Sequence, residues 1–204
     1  MTDGRHARWQ EHREARREEF LDAALRAIRA RGPAVSMEDI AREAGVSKPR
    51  FYRYFADRDE LFAAVAERSM VTLAHRLAPA LAAAAPSREV VRGAVTAYVD
   101  LVDQDPLVAR FMMSGEFGAV SDRGRKRVAA LLAEAAKAYL RTVGGRVEGA
   151  DTWAQATVAA VGAATSHWLE ARPFDKRRLV DHLTAYLWGG MVALLEDEGV
   201  QGLT

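Results

Sequence analysis

Residues 36–61 read Ser-Met-Glu-Asp-Ile-Ala-Arg-Glu-Ala-Gly-Val-Ser-Lys-Pro-Arg-Phe-Tyr-Arg-Tyr-Phe-Ala-Asp-Arg-Asp-Glu-Leu. Their apolar residues recur at three and four rather than at two, the period of helices. Ser36 stands where an N-cap belongs, with Asp39 at the third helical position as an acidic capping box. Met37, Ile40, Ala41 and Ala44 then share one face. Gly45 falls where the chain must turn left-handed to leave this helix. Val46 plugs the turn, Ser47 stands ready to cap a second short helix, and Pro49 lies in its first turn, where a missing N–H costs little. Phe51 and Phe55, four apart, point inward together. Lys48, Arg50, Tyr52, Arg53 and Tyr54 are left on or near the outer faces. Asp57, with Glu60 three residues on, caps a further helix carrying Leu61, Phe62, Val65 and Met70 inside. Two short helices about a tight turn, the second basic and aromatic, form the shape that enters a DNA major groove.

Working outward, a first helix spans about Trp9 to Arg31, with Phe20, Leu21, Ala24, Leu25 and Ile28 on one face and Arg31-Gly32-Pro33 as its stop. Residues 1–8 read as a mobile basic arm. Arg5, His6, Arg8, Arg13, Arg16 and Arg17 offer contacts to a minor groove or backbone, offset by Glu11, Glu14, Glu18 and Glu19. The helix begun at Asp57 is expected to run to about Ala78, ahead of Pro79. Further helices are expected over 87–103, 106–113, 121–143, 151–171 and from Asp175 to about Glu198, with breaks at Gly144-Gly145, Gly149 and Arg172-Pro173. The chain is thus read as all-α, with a reading unit over residues 9–56 and a larger helical body over 57–204, joined rigidly rather than by a linker.

Composition narrows the classes. The chain has 204 residues, no cysteine and a formal charge of +1. Disulfides and thiolate metal sites are therefore excluded. Charge is unevenly placed: residues 1–58 hold 13 Lys/Arg against 10 Asp/Glu, and residues 59–204 hold 16 against 18. A modest positive surface on the reading unit suits phosphate contact. No leader peptide is read, and no apolar run reaches the length of a membrane span. These features make a cytoplasmic protein without a membrane partner the expectation.

The pattern Phe20…Ala24…Ile28…Gly32…Ile40-Ala41…Ala44-Gly45-Val46-Ser47…Tyr52…Phe55…Arg58…Leu61 resembles the DNA-binding domain of the TetR family of transcriptional regulators, over about residues 16–62. The resemblance implies an all-helical homodimer, with an N-terminal helix-turn-helix domain and a C-terminal effector and dimerisation domain. It also implies that a small molecule bound in the C-terminal domain releases the protein from its operator. Carried over position by position, Ser47, Lys48, Tyr52 and Arg58 match phosphate-contacting places. Arg50 and Tyr54 match places that reach base edges, with Arg53 in a less settled role. Ser36 and Pro49 complete the expected DNA-contact set. The physics agrees, since an Arg forks onto guanine O6 and N7 while Lys and the Tyr hydroxyl suit phosphate oxygens. Pro49-Arg50-Phe51 departs from the family's more common small-residue segment, which bears on the target sequence. The competing reading is a solvated face of an ordinary three-helix unit, against which the tyrosines fall off the Phe51/Phe55 face.

In the body, Trp153, Val158, Val161 and Trp168 on one helix, and Leu183, Leu187, Trp188, Val192 and Leu195 on the last, exceed what one core-facing stripe needs. A second apolar face predicts self-association through the last two helices, with Gly162, Gly189 and Gly190 permitting close approach. Tyr98, Phe111, Met112, Met113, Phe117, His167 and Trp168 are candidates for lining an apolar effector pocket, each competing with a plain core role. The basic cluster Arg123, Arg125, Lys126 and Arg127 offers an acidic ligand a partner, or is simply a solvated helix start. His167 and Glu170, three apart, have metal-site spacing but no partner carboxylates in phase, so no metal or cofactor is expected. No phosphate loop, nucleophile elbow or paired-acid arrangement occurs. The function expected is a ligand-responsive DNA-binding regulator, with a repressor preferred over an activator or an effector-independent DNA binder, and over a helical enzyme or carrier. Its partners would be a palindromic double-stranded operator, a second copy of itself and an unidentified apolar or amphipathic effector.

Overall fold

The computed structural model describes residues 3–32, 34–83, 85–113 and 118–200. Among them are nine α-helices and no strands: α1 (Asp3–Arg31), α2 (Met37–Glu43), α3 (Lys48–Phe51), α4 (Arg58–Leu81), α5 (Arg88–Gln104), α6 (Pro106–Met113), α7 (Gly118–Val143), α8 (Ala150–Ala171) and α9 (Lys176–Asp197). No helix of the described residues is long and apolar enough to cross a membrane.

Local chemistry sets most of these boundaries. Ser36 Oγ accepts the Asp39 N–H at 3.1 Å, and Asp39 Oδ2 accepts the Ser36 N–H at 3.4 Å, closing the capping box of α2. Gly45, at φ +66°, ends α2: its N–H donates to Arg42 O and the Val46 N–H to Ala41 O, both 3.1 Å, a Schellman pattern. Asp57 Oδ1 accepts the Glu60 N–H at 2.8 Å, and Glu60 Oε2 accepts the Ala56 N–H at 2.8 Å, so the acid clasps the chain just ahead of α4.

Three expectations need correction. The first helix begins at Asp3, so the expected arm over residues 1–8 is largely helical backbone. α4 does not stop before Pro79 but carries it inside its last turn and ends at Leu81. A proline one turn from a C-terminus disrupts only one hydrogen bond of a helix already anchored by Leu73 and Leu77. The second short helix, expected to carry both Phe51 and Phe55, is α-helical only through Phe51, and a turn carries the chain on, with Tyr54 N–H and Phe55 N–H both donating to Phe51 O.

The packing has two centres. Phe20, Leu21, Ala24, Ile28, Ile40, Phe51, Phe55, Leu61, Phe62 and Val65 form one core together with Val108 and Phe111 of α6. Behind it, α7 packs along α8 and α5 along α9, with α4 lying against both α5 and α7. Here Val95, Val99, Val102, Trp168, Leu169, Leu179, Val180 and Leu183 make the second core. α4 enters the first centre with its early turns, and its later Leu73 and Leu77 form a separate cluster with Val128 of α7.

Candidate nucleic-acid interface and effector cavity

The α2–α3 face is built by a division between alternate side chains. Phe51 and Phe55 are fully buried, their rings 5.6 Å apart, and Phe51 lies 5.1 Å from Phe20 of α1. With that face fixed, Arg50 and Arg53 project into solvent and form no hydrogen bond or ion pair within the described residues. Ser47, at the N-cap of α3, is exposed and makes no side-chain cap bond, which leaves its hydroxyl available outward. The expected cap is thus a backbone one, through Ser47 O to the Arg50 and Phe51 N–H groups. Pro49 is exposed in the first turn of α3.

Ser36, Lys48, Tyr52 and Arg58 come together, bordering one open depression with Val35, Met37 and Glu38. Lys48 Nζ hydrogen-bonds Glu38 and stands 6.0 Å from the Tyr52 ring centroid. That contact lowers the Glu38 pKa and raises that of Lys48, so both stay charged over a wide pH range. Arg58 is half-buried, its guanidinium 4.6 Å from the Phe62 ring centroid. Tyr54 sits differently from the expectation. It is half-buried, packs edge-on against Phe20 at 4.9 Å and belongs to the first core, because its place in the turn after α3 rotates it inward. In the first helix, Arg16 pairs with Glu19 and Arg17 approaches Glu60, so part of its positive charge is satisfied internally.

The body contains a cavity of about 840 Å³, bounded by α4, α5, α7 and α8, with α1 and α6 at one end and α9 at the other. Its size lies in the upper part of the range for small-molecule sites, roughly 300–1,000 Å³. Of the candidate lining residues, Tyr98, Met112 and Met113 border it, alongside Leu73, Leu77, Leu132, Val158 and Met191. Burial pushes the Tyr98 hydroxyl up to about 12, its remaining exposure being to the cavity it borders. Thr165, fully buried beside it, opposes part of that rise, although its Oγ1 finds no partner of good hydrogen-bond geometry.

Three other candidates lie elsewhere. Phe111 packs against Phe62 at 4.8 Å in the first core, where the short α6 turns it toward the reading unit. Trp168, 1% exposed, donates from Nε1 to Phe174 O at 2.9 Å, and Arg172 covers its ring at 3.8 Å. His167 is exposed on the outer side of α8. None of the three borders the cavity. Phe117 lies outside the described residues. Sequence reasoning also missed lining residues: Asp22, Leu25 and Arg29 of α1, Arg68 of α4 and Asp105 ahead of α6. The signal was the 22-25-29 spacing, which sets Asp22 and Arg29 beside Leu25 at the edge of the apolar face, although charged residues at such an edge read from sequence as solvated. Among the described residues, no three His, Asp or Glu side chains converge as metal ligands.

The face of α9 turned from the core carries Tyr186, Gly189, Gly190, Ala193 and Leu194, all exposed, and α8 exposes Ala156, Ala159 and Ala163. A Cβ at Gly162, Gly189 or Gly190 would meet nothing within 4 Å.

Residues 20–65 match the family described as bacterial regulatory proteins, tetR family, and residues 76–203 match the tetracyclin repressor-like C-terminal domain. The chain belongs to the TetR family of bacterial transcriptional regulators. An uncharacterised HTH-type transcriptional regulator of Mycobacterium tuberculosis H37Rv is 33% identical to this TetR-family chain over 202 residues, covering 97% of it and 86% of the relative. The HTH-type transcriptional activator FasR of Mycolicibacterium smegmatis is 30% identical over 187 residues, covering 88% and 84%. A crystal structure of a TetR-like regulator from Rhodococcus sp. RHA1, 26% identical, superposes with a TM-score of 0.63 over 87% of this chain and 96% of that one. This TetR-family protein is accordingly a DNA-binding regulator and not an enzyme.

Proposed function

We propose that this protein is a ligand-responsive regulator that binds a palindromic operator as a homodimer and is released when a small apolar or amphipathic molecule fills the cavity. The observation that carries this reading is α4. Its first turns place Leu61, Phe62 and Val65 in the core of the reading unit, while its later turns place Leu73, Leu77 and Leu81 in the cavity wall. A ligand that tilts α4 therefore moves the reader.

In this reading residues 9–56 read DNA and residues 57–204 sense and pair, with the first turns of α4 shared, since the N-terminal family match runs to residue 65 and the C-terminal one begins at 76. Ser36, Ser47, Lys48, Tyr52 and Arg58 take phosphates, Pro49 lies against the backbone, and Arg50 with Arg53 face the base edges. Tyr54 serves mainly to seat α3 on Phe20, leaving its hydroxyl for DNA. Tyr98 and Met112 contact effector. The open, small-residue faces of α8 and α9 supply the two-fold interface, whose geometry must set the readers about 34–36 Å apart. Cytoplasmic location follows from this role.

The test is selection of bound fragments from random DNA, followed by titration of the selected operator. A two-fold symmetric site, bound by a dimer, is expected. Arg50→Ala should cost on the order of 1–3 kcal/mol and relax preference at one base position in each half-site. Failure to enrich any sequence would end the reading. Repression is the sign preferred here, scored with a reporter carrying the operator. The 30% identity to a transcriptional activator favours activation as the second reading, separated by the same reporter.

A further inference from the structure

The cavity is apolar along most of its wall, but its charged side chains are few and gathered toward the reading unit. They are Asp22 and Arg29 of α1, Arg68 of α4, Asp105 at the α5–α6 junction and Arg125 near the start of α7. Each arginine already holds a carboxylate: Arg125 pairs within α7 to Asp122 at 3.2 Å, and Arg68 also approaches Glu18 of α1 at 3.5 Å. Arg29 forks onto Asp105, with Nε to Oδ1 at 2.6 Å and an outer nitrogen to Oδ2 at 2.7 Å. Arg68 reaches Asp22 at 2.6 Å, and Asp22 also acts electrostatically on Arg29, so the pairs are neighbours. Arg125 comes from beside Gly124, which packs against Met70, two residues from Arg68.

Both pairs tie α1 to the body. Arg29–Asp105 joins the first helix of the reading unit to the start of α6, and Arg68–Asp22 joins it to α4. Both are partly exposed, with side chains between 27% and 50% accessible, so solvent screens them and their net strength is small. A guanidinium fork holds any planar two-oxygen anion the same way. An entering anion would therefore exchange for Asp105 or Asp22 at little cost, and each exchange would untie α1.

Resting on the reading given above, we propose that the effector is an alkyl-chain anion whose head replaces Asp105 on Arg29 and Asp22 on Arg68, its tail lying along Leu73, Tyr98 and Leu132. The two ion pairs are then the latch by which occupancy of the cavity reaches the DNA reader. The cavity's volume of about 840 Å³ lies within the range of small-molecule sites, roughly 300–1,000 Å³. A single alkyl chain with a compact head fits within that volume.

The experiment uses four probes of one chain length below their micelle concentrations: dodecanoate, dodecyl phosphate, dodecanol and dodecylammonium. Binding to the full-length protein is measured by calorimetry without DNA, and operator affinity is measured separately. Dodecanoate or dodecyl phosphate should bind at least tenfold more tightly than the alcohol and the ammonium, the ranking of the two anions identifying the head. Arg29→Gln should erase most of that preference. Asp105→Asn and, independently, Asp22→Asn should tighten anion binding by removing the internal competitor, and should weaken operator binding by ligand-free protein. Thermal melts confirm that each variant is folded. Equal affinity for acid and alcohol, or unchanged anion affinity in both folded Asn variants, would overturn the proposal. Absence of binding by all four probes to a protein that still holds its operator would also overturn it, while leaving the DNA reading intact. A protein that holds no DNA but prefers anions would do the opposite.

Discussion

Phe51 and Tyr54, three residues apart, show how small rotations about α3 assign different tasks. Phe51 is fully buried between Phe20 and Phe55, and Phe51→Ala should cost about 3–5 kcal/mol in chemical unfolding, because it removes a whole ring from a close-packed core. Tyr54 meets Phe20 with the two rings perpendicular, centroids 4.9 Å apart. Tyr54→Phe should keep stability within about 0.5 kcal/mol, so any loss of DNA affinity in that variant reports the hydroxyl alone. Tyr98 makes a different prediction. Its folded pKa of about 12 lies above the ordinary 10, so the native state holds the proton more tightly than the unfolded chain. Stability contributed by the neutral phenol is complete below pH 10 and declines as pH rises toward 12, by on the order of 2–3 kcal/mol. Denaturant titrations across that window should fall more steeply for the wild type than for Tyr98→Phe; parallel slopes would refute the enclosed environment.

At the level of elements, the turn between α2 and α3 depends on one backbone conformation. Gly45 has open space around its Cα but stands at φ +66°, so Gly45→Ala meets no clash and should still cost on the order of 1–2 kcal/mol, measurable as a lowered unfolding midpoint. This turn was legible in the sequence, as were the caps at Ser36 and Asp57 and the inward pair Phe51 and Phe55, because each rests on contacts within a few residues. Less legible was anything set by packing between distant helices. Trp168 and Phe111 belong to two different cores, and the helical period could say that they are buried but not against what. The cavity wall contributed by α1 was hidden for the same reason: Asp22, Leu25 and Arg29 form a mixed stripe whose inward direction is settled only by α4 and α6. Pro79 taught a related lesson, since a proline signals a stop from local sequence while the packing of α4 carries the helix past it.

For the molecule as a whole, the exposed glycines of α9 allow a clean test of pairing. A Cβ at Gly190 meets nothing within 4 Å and the position is exposed, so Gly190→Leu should leave the melting temperature of the monomer near wild type while blocking close approach of two copies. Sedimentation should then show a shift toward monomer, with operator affinity lost in parallel. If the variant stays dimeric, the interface lies elsewhere. Linkage requires that operator DNA and effector weaken each other by the same factor, so either binding measurement checks the other. The presence of Val108 and Phe111 in the first core has one more outcome. A chimera that grafts residues 9–56 alone onto a foreign sensor would leave Phe20, Phe51 and Phe55 without the apolar roof that α4 and α6 provide. A transplantable reader from this protein must carry its own α4 and a substitute for Phe111, so the smallest portable unit is set by buried contacts rather than by the length of the helix-turn-helix.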